Sequence, residues 1–297
     1  MPSLISTNSD FSPQVEYGAA RSQARLTTTP LLETSQADGE PWMAFYRRRR
    51  GYLVRIFKLV DFEVFSSGTQ VTIHAVPGVS PHTVEHLYLN QALPLALSLQ
   101  NKLVLHGSAV EIENLAVAFL GASGRGKSTL AASFSANGFR FLSDDGLLID
   151  KEGNNFIIRP GHPSLRLRDD SREVIAKRPG QTESVIDHNA KSRFLADDKF
   201  SFCAENRALA HLYFLGDGSS AGVSITPVSS QKSVIEMMRH CFLLGVDERE
   251  LLAKNFQRLA ELAREPIFFN LDYPRRFDFL GQVREAVVKN THVSSEQ

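Results

Sequence analysis

Short runs rich in apolar and β-branched residues stand out between residues 52 and 76. Three of them, YLVRIF, FEVF and QVTIHAV, are typical of short strands, and Ser67-Gly68 marks a hairpin turn between the last two. Ser80-Pro81 then matches a helix N-cap followed by proline at the first helical position. Helical spacing continues from there to Leu99, and Pro94 is expected to kink the helix. The pattern predicts a small α+β module over residues 41–100.

From Lys102 onward, apolar runs of strand length alternate with segments of helical period. The predicted strands are LVLH, SAVEI, LAVAFL, FRFLSDD, GLLID, ALAHLYFLG and IFFNL. The predicted helices cover residues 127–136, 233–244, 248–264 and 277–288. Strands that alternate with helices around a glycine-rich loop indicate an α/β sheet domain over residues 101–297.

The first forty residues lack a sustained apolar period. They are rich in Ser, Thr, Gln, Asn and Asp, which predicts a flexible tail over residues 1–40, although a segment of this length could also fold over a partner. The predicted organisation is therefore a flexible tail, a small N-terminal module and a larger α/β domain.

Charge and cysteine content narrow the classes of partner. Lys plus Arg and Asp plus Glu both number 33, so no overall field attracts nucleic acid or an anionic membrane. The basic run at residues 47–50 is interpreted as a solvated turn, with phosphate contact as the alternative. Cys203 and Cys241 form no CxxC pair, which argues against a structural zinc site. Without an apolar leader or a membrane-length apolar run, we expect a cytoplasmic protein, and a homo-oligomer is left open.

The segment Gly121-Ala-Ser-Gly-Arg-Gly-Lys-Ser satisfies the pattern G-x-x-x-x-G-K-[ST]. Glycines allow backbone amides to converge on phosphate oxygens, and the helix that follows presents its positive N-terminal end. Lys127 would bind the β- and γ-phosphates of ATP, and the Ser128 hydroxyl would ligate Mg²⁺. The predicted nucleotide-binding residues are Gly121, Ser123, Gly124, Arg125, Gly126, Lys127, Ser128 and Thr129.

Asp144 and Asp145 end the strand that follows the loop and its helix. A carboxylate at such a strand end is well placed to hold Mg²⁺, which assigns Asp144 to the metal. The adjacent Asp145 could accept a proton from an attacking hydroxyl. The alternative is that Asp145-Gly146 is simply a turn dipeptide.

Three of these features together resemble one family. His106-Gly107, the loop that ends at Ser128, and Asn137-Gly-Phe-Arg-Phe-Leu-Ser-Asp-Asp145 are similar to the catalytic domain of HPr kinase/phosphorylase. That family phosphorylates a seryl hydroxyl on a protein, and its architecture is distantly related to phosphoenolpyruvate carboxykinase. The resemblance implies a P-loop kinase domain of that type, with ATP and Mg²⁺ as cofactors.

The resemblance also implies a role for each matching residue. Lys127 and Ser128 would serve the phosphates and the metal, with Asp144 assisting the metal. Asp145 would be the general base toward the acceptor, and His106 would contact the transferred phosphate or orient Asp145.

Two departures from the family affect the expected substrate. The family's glycine-rich signature, linked to reverse phosphorolysis, is replaced by Arg-Pro-Gly-His-Pro-Ser-Leu-Arg-Leu-Arg over residues 159–168, and the N-terminal module differs. In both respects the chain looks more like HPr-kinase-related proteins of bacterial biosynthetic clusters, including kinases of lasso-peptide precursors. The nearby cations Arg159, Lys191 and Arg193 are interpreted as surface residues rather than as site residues.

The sequence therefore favours an ATP-dependent kinase that acts on a serine of a peptide or protein. An ATP-binding switch or ATPase and a small-molecule kinase are the alternatives. The adjacent carboxylate Asp145 fits a hydroxyl acceptor, whereas no residue in the sequence is identified as positioning a water molecule. The motifs do not separate a small-molecule acceptor from a peptide.

Overall fold

A computed structural model describes residues 12–36, 38–168, 171, 175, 191–196, 200–242 and 249–295. The chain divides into two compact units. The N-terminal unit comprises Met1–Lys102 with Phe242–Asn255, and the P-loop unit comprises Leu103–Cys241 with Phe256–Gln297. Among the helices of the described ranges, none combines the length and apolar composition needed to cross a bilayer.

The N-terminal unit is built on a six-stranded sheet in the order β1-β6-β5-β4-β3-β2. Its strands are β1 (Gln14–Tyr17), β2 (Leu32–Ser35), β3 (Pro41–Arg48), β4 (Gly51–Ile56), β5 (Val60–Phe65) and β6 (Gln70–Ala75). Strands β3 to β6 form an antiparallel meander, in which β4, β5 and β6 confirm the three predicted strands, whereas β3 was not predicted. The four arginines at residues 47–50 are exposed around the tip of the β3–β4 hairpin.

Two helices pack their apolar side chains against this sheet. They are α1 (Pro81–Leu87) and α2 (Leu93–Leu99), joined by a π-helical turn over Tyr88–Ala92. The Ser80 hydroxyl accepts a hydrogen bond from the Thr83 amide at 3.2 Å, which confirms the predicted cap. The wide turn directly precedes Pro94, where the missing amide and the proline ring disturb regular helical bonding. The predicted kink therefore takes the form of a π turn.

Part of the segment expected to be a flexible tail belongs to the sheet instead. Strand β1 runs parallel to β6 along one edge, and β2 pairs with β3 along the other. Between them, Gln23 donates to the Ile56 carbonyl at 2.9 Å, and Arg55 donates to the Ala24 carbonyl at 2.7 Å. This segment is ordered by backbone and polar contacts at the sheet edges, so it needs no apolar alternation. Residues 1–11 lie outside the described part of the chain.

The P-loop unit contains a nine-stranded sheet within the described residues. Its main order is β10-β8-β9-β15-β12-β11-β7, with β17 beside β15 and β16 beside β17. These strands are β7 (Leu103–Leu105), β8 (Gly107–Ile112), β9 (Leu115–Leu120), β10 (Arg140–Ser143), β11 (Leu147–Glu152), β12 (Asn155–Arg159), β15 (Arg207–Leu215), β16 (Ser224–Pro227) and β17 (Phe268–Asp272). A separate two-stranded sheet pairs β13 (Ser164–Arg168) antiparallel with β14 (Lys191–Leu195).

Parallel pairing at the centre of this sheet positions the site. Strand β15 runs parallel to β9 on one side and to β17 on the other, so the carboxyl ends of all three meet at one edge. The remaining neighbours pair antiparallel, including the β8–β9 hairpin, whose turn residues Glu113 and Asn114 both have positive φ. The expected α/β sheet architecture is confirmed.

Helices cover both faces of the sheet. They are α3 (Lys127–Ser135), α4 (Ser230–Met238), α5 (Arg249–Leu262) and α6 (Leu280–Ser295), with a 3₁₀ turn at Phe277–Phe279. The predicted helices are thus present with shifted ends, although residues 243, 244 and 248 lie outside the described ranges. Along β9, Val117 and Phe119 join one apolar cluster, while alternate residues such as Ala118 join the other. Burial on both faces explains why this strand is an uninterrupted apolar run.

Strands β7 and β8 form nearly one strand that bends at His106. Strands β10 and β11 bend opposite it, at residues 144–146. The pairing of β10 with β8 shifts by one residue between Phe141 and Ser143. After this shift, Ser143 pairs with Ala109 before the bend, and Leu147 pairs with Leu105 after it, so one register runs through the bend. The shared register sets His106 opposite Gly146 and brings the two bends together.

Candidate functional site

The glycine-rich loop connects the end of β9 to the start of α3. Gly124 and Gly126 have φ values of 83° and 94°, in the left-handed region that glycine adopts without strain. Gly126 is the N-cap of α3, so the loop ends at the positive end of the helix. Ser123 and Gly124 are exposed, whereas Arg125 is half-buried. The loop geometry therefore suits an anion that approaches from solvent.

Lys127 and Ser128 begin α3 with buried side chains. Lys127 Nζ donates to the Gly121 carbonyl at 2.8 Å and to the Ala122 carbonyl at 3.3 Å, so the ammonium is held against the loop. Ser128 Oγ donates to Asp144 Oδ1 at 2.8 Å. These contacts place an ammonium and a hydroxyl side by side at the helix N-terminus.

Asp144 is held by three donors from separate parts of the chain. Its Oδ1 accepts from Ser108 at 2.6 Å and from Ser128 at 2.8 Å, and its Oδ2 accepts from the Arg166 amide at 2.8 Å. The two residues assigned to the metal are thus in direct contact. We expected Asp144 and Ser128 to act together, and the fold brings their oxygens together.

Asp145 has a buried side chain and an unusual backbone conformation. Its φ is 67°, which is uncommon for residues other than glycine but accessible to aspartate. Its Oδ2 lies 2.6 Å from Arg166 Nη1, and both side chains are largely buried. The ion pair requires an ionised carboxylate at this position.

His106 lies at the bend between β7 and β8. Its amide donates to the His240 carbonyl at 2.6 Å. Burial, together with the positive charge of Lys127, lowers the pKa of His240 below its ordinary value. The bend therefore places His106 next to His240, which lies within the electrostatic influence of Lys127 and was not selected from the sequence.

A cavity of about 150 Å³ opens in front of the loop. Besides the loop and α3, its walls come from β13 and from the segment that follows β17. The lining residues are Gly124, Gly126, Lys127, Ser128, Thr129, Arg166, Ser171, Tyr273, Arg275, Arg276, Phe277 and Leu280. Thr129 Oγ1 lies 3.1 Å from Ser171 Oγ within it. Cationic and hydroxyl groups thus dominate the polar lining.

Four residues of this region were missed by sequence analysis: Ser108, Arg166, His240 and Arg275. Arg166 lies within the stretch identified only as a departure from a known signature, and Ser108 follows the predicted His106-Gly107 pair directly. None of them has a fixed spacing from the loop motif, because each comes from a different strand or turn.

Sequence analysis interpreted three other cations, Arg159, Lys191 and Arg193, as surface residues. Arg159 makes ion pairs with Asp150 and Glu152, both at 3.1 Å, on β11. The backbone of Lys191 and Arg193 belongs to β14, but their side chains lie outside the described part of the structure.

The donor set fits a magnesium ion beside a phosphate chain. Mg²⁺ prefers oxygen ligands in octahedral geometry at about 2.0–2.1 Å, which puts adjacent ligand oxygens about 2.9 Å apart. The 2.8 Å between Ser128 Oγ and Asp144 Oδ1 is close to that spacing. The glycine loop and Lys127 supply the amides and the charge that phosphates require.

Comparison with known proteins identifies one relative in sequence. The chain is 37% identical over 57 residues to HPr kinase/phosphorylase from Prosthecochloris aestuarii, a match that covers 19% of this chain and 17% of the relative. The expected resemblance to HPr kinase is confirmed at this level. The chain thus matches less than a fifth of that relative's length.

A solved structure superposes weakly on the chain. The Hpr(Ser) kinase/phosphatase from Coxiella burnetii superposes with a TM-score of 0.35 at 12% identity, covering 65% of this chain and 99% of that one. A TM-score of this size does not establish a shared fold. No protein-family model matches the chain.

Proposed function

We propose that this HPr kinase-like chain is an ATP- and Mg²⁺-dependent kinase that phosphorylates a serine hydroxyl of a peptide or protein. One observation supports the proposal above the others. Two adjacent carboxylates stand at the phosphate loop in different surroundings: Asp144 contacts Ser128, and Asp145 pairs with Arg166. A kinase needs this division, with one carboxylate for the metal and a second for the acceptor.

The loop residues would bind and orient the nucleotide. Lys127 would exchange its contacts with the Gly121 and Ala122 carbonyls for contacts with phosphate oxygens. Ser128 and Asp144 would hold Mg²⁺, which neutralises charge on the phosphates when it is bound. Ser108 and the Arg166 amide would keep the Asp144 carboxylate in position.

Asp145 would accept the proton of the acceptor hydroxyl as the hydroxyl oxygen bonds to the γ-phosphorus of ATP, while the bond from that phosphorus to the β,γ-bridging oxygen breaks and ADP leaves. Arg166 holds Asp145 as a carboxylate, which is the form able to take that proton. His106, at the facing bend, would contact the phosphoryl group or orient Asp145. The main demand of the reaction is stabilisation of charge on the phosphoryl group, and Lys127 would supply most of it.

The acceptor is proposed to be a biosynthetic precursor peptide, such as one of the lasso type, with little reverse phosphorolysis. Support comes from the sequence of residues 159–168, which differs from the signature of the phosphorolysing relatives. In this chain the same stretch supplies Arg166 to the pair of aspartates.

Mass spectrometry of precursor peptides from the same genomic neighbourhood, incubated with the protein and Mg-ATP, tests the proposal. We expect one added phosphate, which disappears when the acceptor serine is replaced by alanine. Efficient phosphorylation of a small alcohol with no modified peptide would favour a small-molecule kinase. ATP hydrolysis that no acceptor stimulates would favour an ATPase or switch.

Two substitutions test the division of labour between the carboxylates. Asp144→Asn should weaken Mg²⁺-dependent nucleotide binding. Asp145→Asn should leave Mg-ATP binding nearly intact and slow transfer by roughly 10²-fold or more. Calorimetry with a non-hydrolysable ATP analogue, beside single-turnover kinetics, separates the two effects. Loss of ATP binding in Asp145→Asn, with transfer preserved at saturating nucleotide, would reverse the assigned roles.

A further inference from the structure

Arg275 follows β17 and lines the cavity in front of the phosphate loop. Its guanidinium carbon lies 4.2 Å from the centre of the Tyr273 ring, so one face of the cation is packed. Tyr273 in turn borders the loop, since a Cβ added to Gly126 would lie 3.4 Å from its hydroxyl. The aromatic ring therefore fixes this cation beside the loop.

Only part of the guanidinium has a hydrogen-bond acceptor. Nη2 donates to the Gly216 carbonyl at 2.6 Å and lies 3.5 Å from Asp272 Oδ1. Nε and Nη1 are buried, and within the described residues neither has an acceptor. Buried charged donors without acceptors are costly, so they indicate an anionic ligand more strongly than exposed arginines do.

The neighbouring Asp272 carboxylate accepts from backbone amides rather than from those two donors. Oδ1 accepts from the Gly218 amide at 2.7 Å, and Oδ2 accepts from the Ser220 amide at 3.0 Å. Asp272 thus fixes the loop after β15, whose Gly216 carbonyl holds Arg275. The guanidinium is anchored at one nitrogen and keeps donors on the other two.

We propose that Arg275 is a phosphate-binding residue that acts with Lys127 on the phosphate groups of the nucleotide. This inference rests on the proposed function. It adds a second, rigid cation to the cavity wall beside the loop. Arginine suits the task because its planar donors match phosphate oxygens, and packing on Tyr273 reduces the entropy lost on binding.

The adjacent Arg276 provides a matched control. It lines the same cavity, but its side chain is 70% exposed and its Nη2 lies 2.6 Å from Asp278 Oδ2. The variants Arg275→Gln and Arg276→Gln remove the same charge from neighbouring positions. Only the first also removes the buried donors.

Calorimetric titration of each variant with a non-hydrolysable ATP analogue, ADP and inorganic phosphate tests the proposal. Arg275→Gln should weaken binding of the ATP analogue about 10- to 100-fold, the scale of charged hydrogen bonds, whereas Arg276→Gln, which removes an exposed cation of the same lining, should weaken it several times less. A similar loss for ADP would place Arg275 at the inner phosphates. A loss confined to the ATP analogue or to inorganic phosphate would place it at a terminal phosphate.

Arg275→Lys guards against a folding artefact, because it keeps the charge and should recover part of the affinity at an unchanged melting temperature. The proposal is overturned if Arg275→Gln binds every ligand within about twofold of wild type, or if both glutamine variants lose affinity equally. Absence of ATP binding by the wild-type protein would instead refute the proposed function.

Discussion

The ion pair between Arg166 and Asp145 allows a prediction that separates stability from catalysis. Its charges lie about 4 Å apart, which at an effective dielectric constant of about 20 corresponds to about 4 kcal/mol of attraction. The two side chains are 13% and 6% exposed, so removing one partner leaves the other charge buried. We expect Arg166→Met to lower the free energy of unfolding by about 3 kcal/mol.

A double-mutant cycle isolates the interaction. Asp145→Asn combined with Arg166→Met should be more stable than the sum of the single losses predicts, with a coupling energy of about 2 kcal/mol in urea denaturation. Arg166→Met should also lower kcat toward that of Asp145→Asn while changing the affinity for ATP only a few-fold. The Arg166 amide that binds Asp144 is retained in this variant, and Arg166→Lys tests rescue by charge alone.

The Arg55–Asp61 pair of the N-terminal unit is the control. Its side chains are 6% and 2% exposed, and the shortest contact is 2.8 Å. Arg55→Met should therefore destabilise the protein to a similar extent without lowering kcat per folded molecule. Additive losses in the Arg166–Asp145 cycle, or wild-type kcat in Arg166→Met, would refute the assignment of Arg166 as a positioning residue.

Three further predictions concern single positions. Lys127→Ala should reduce ATP turnover by about 10²-fold or more with a modest change in melting temperature, and activity within a few-fold of wild type would exclude this loop as the working site. Gly107→Ala should lower the free energy of unfolding, measured by urea denaturation, by about 1–3 kcal/mol, because the added Cβ would lie 2.5–2.8 Å from Leu120, Leu147 and the Phe119 carbonyl. Gly146→Ala is the control: its Cβ would meet nothing within 4 Å, so this variant should be nearly neutral. Burial lowers the pKa of His211 to about 4, so the unfolded state, with a histidine pKa of about 6.5, binds the proton first as the pH falls. The free energy of unfolding should therefore fall by up to about 3 kcal/mol between about pH 6.5 and pH 4. His211→Phe should flatten this part of the stability–pH curve, and an unchanged slope would contradict the prediction.

The regular elements were accessible from sequence because their burial repeats with a simple period. Strand β9 is apolar at every position and buried on both faces, while the first five residues of β6 alternate between half-buried and buried positions. Strands β1 and β2 were not predicted, because their burial shows no such period. They occupy sheet edges, where backbone pairing and polar contacts such as that of Gln23 order the chain with only a few apolar side chains, such as Val15 and Leu31, packed against the core.

The residues of the candidate site also fall into two groups, those that the sequence identified and those that it did not. Ser128 and Asp144 could be selected because they lie on consecutive elements, where motif and spacing predict their proximity. Arg166 and Arg275 could not be selected, since their places depend on the pairing of β13 with β14 and on the turn after β17. A sequence shows that a cation exists, but the packing of Tyr273 and the position of Asp145 decide which one enters the site.

The facing bends at His106 and at residues 144–146 also limit how the length of this chain can change. One register runs through both bends, from the Ser143–Ala109 pair to the Leu147–Leu105 pair. An inserted or deleted residue in one bend would shift pairing on one side only, and it would turn every side chain of the shifted strand to the opposite face of the sheet. A change of length in one bend would therefore require a compensating change in the other.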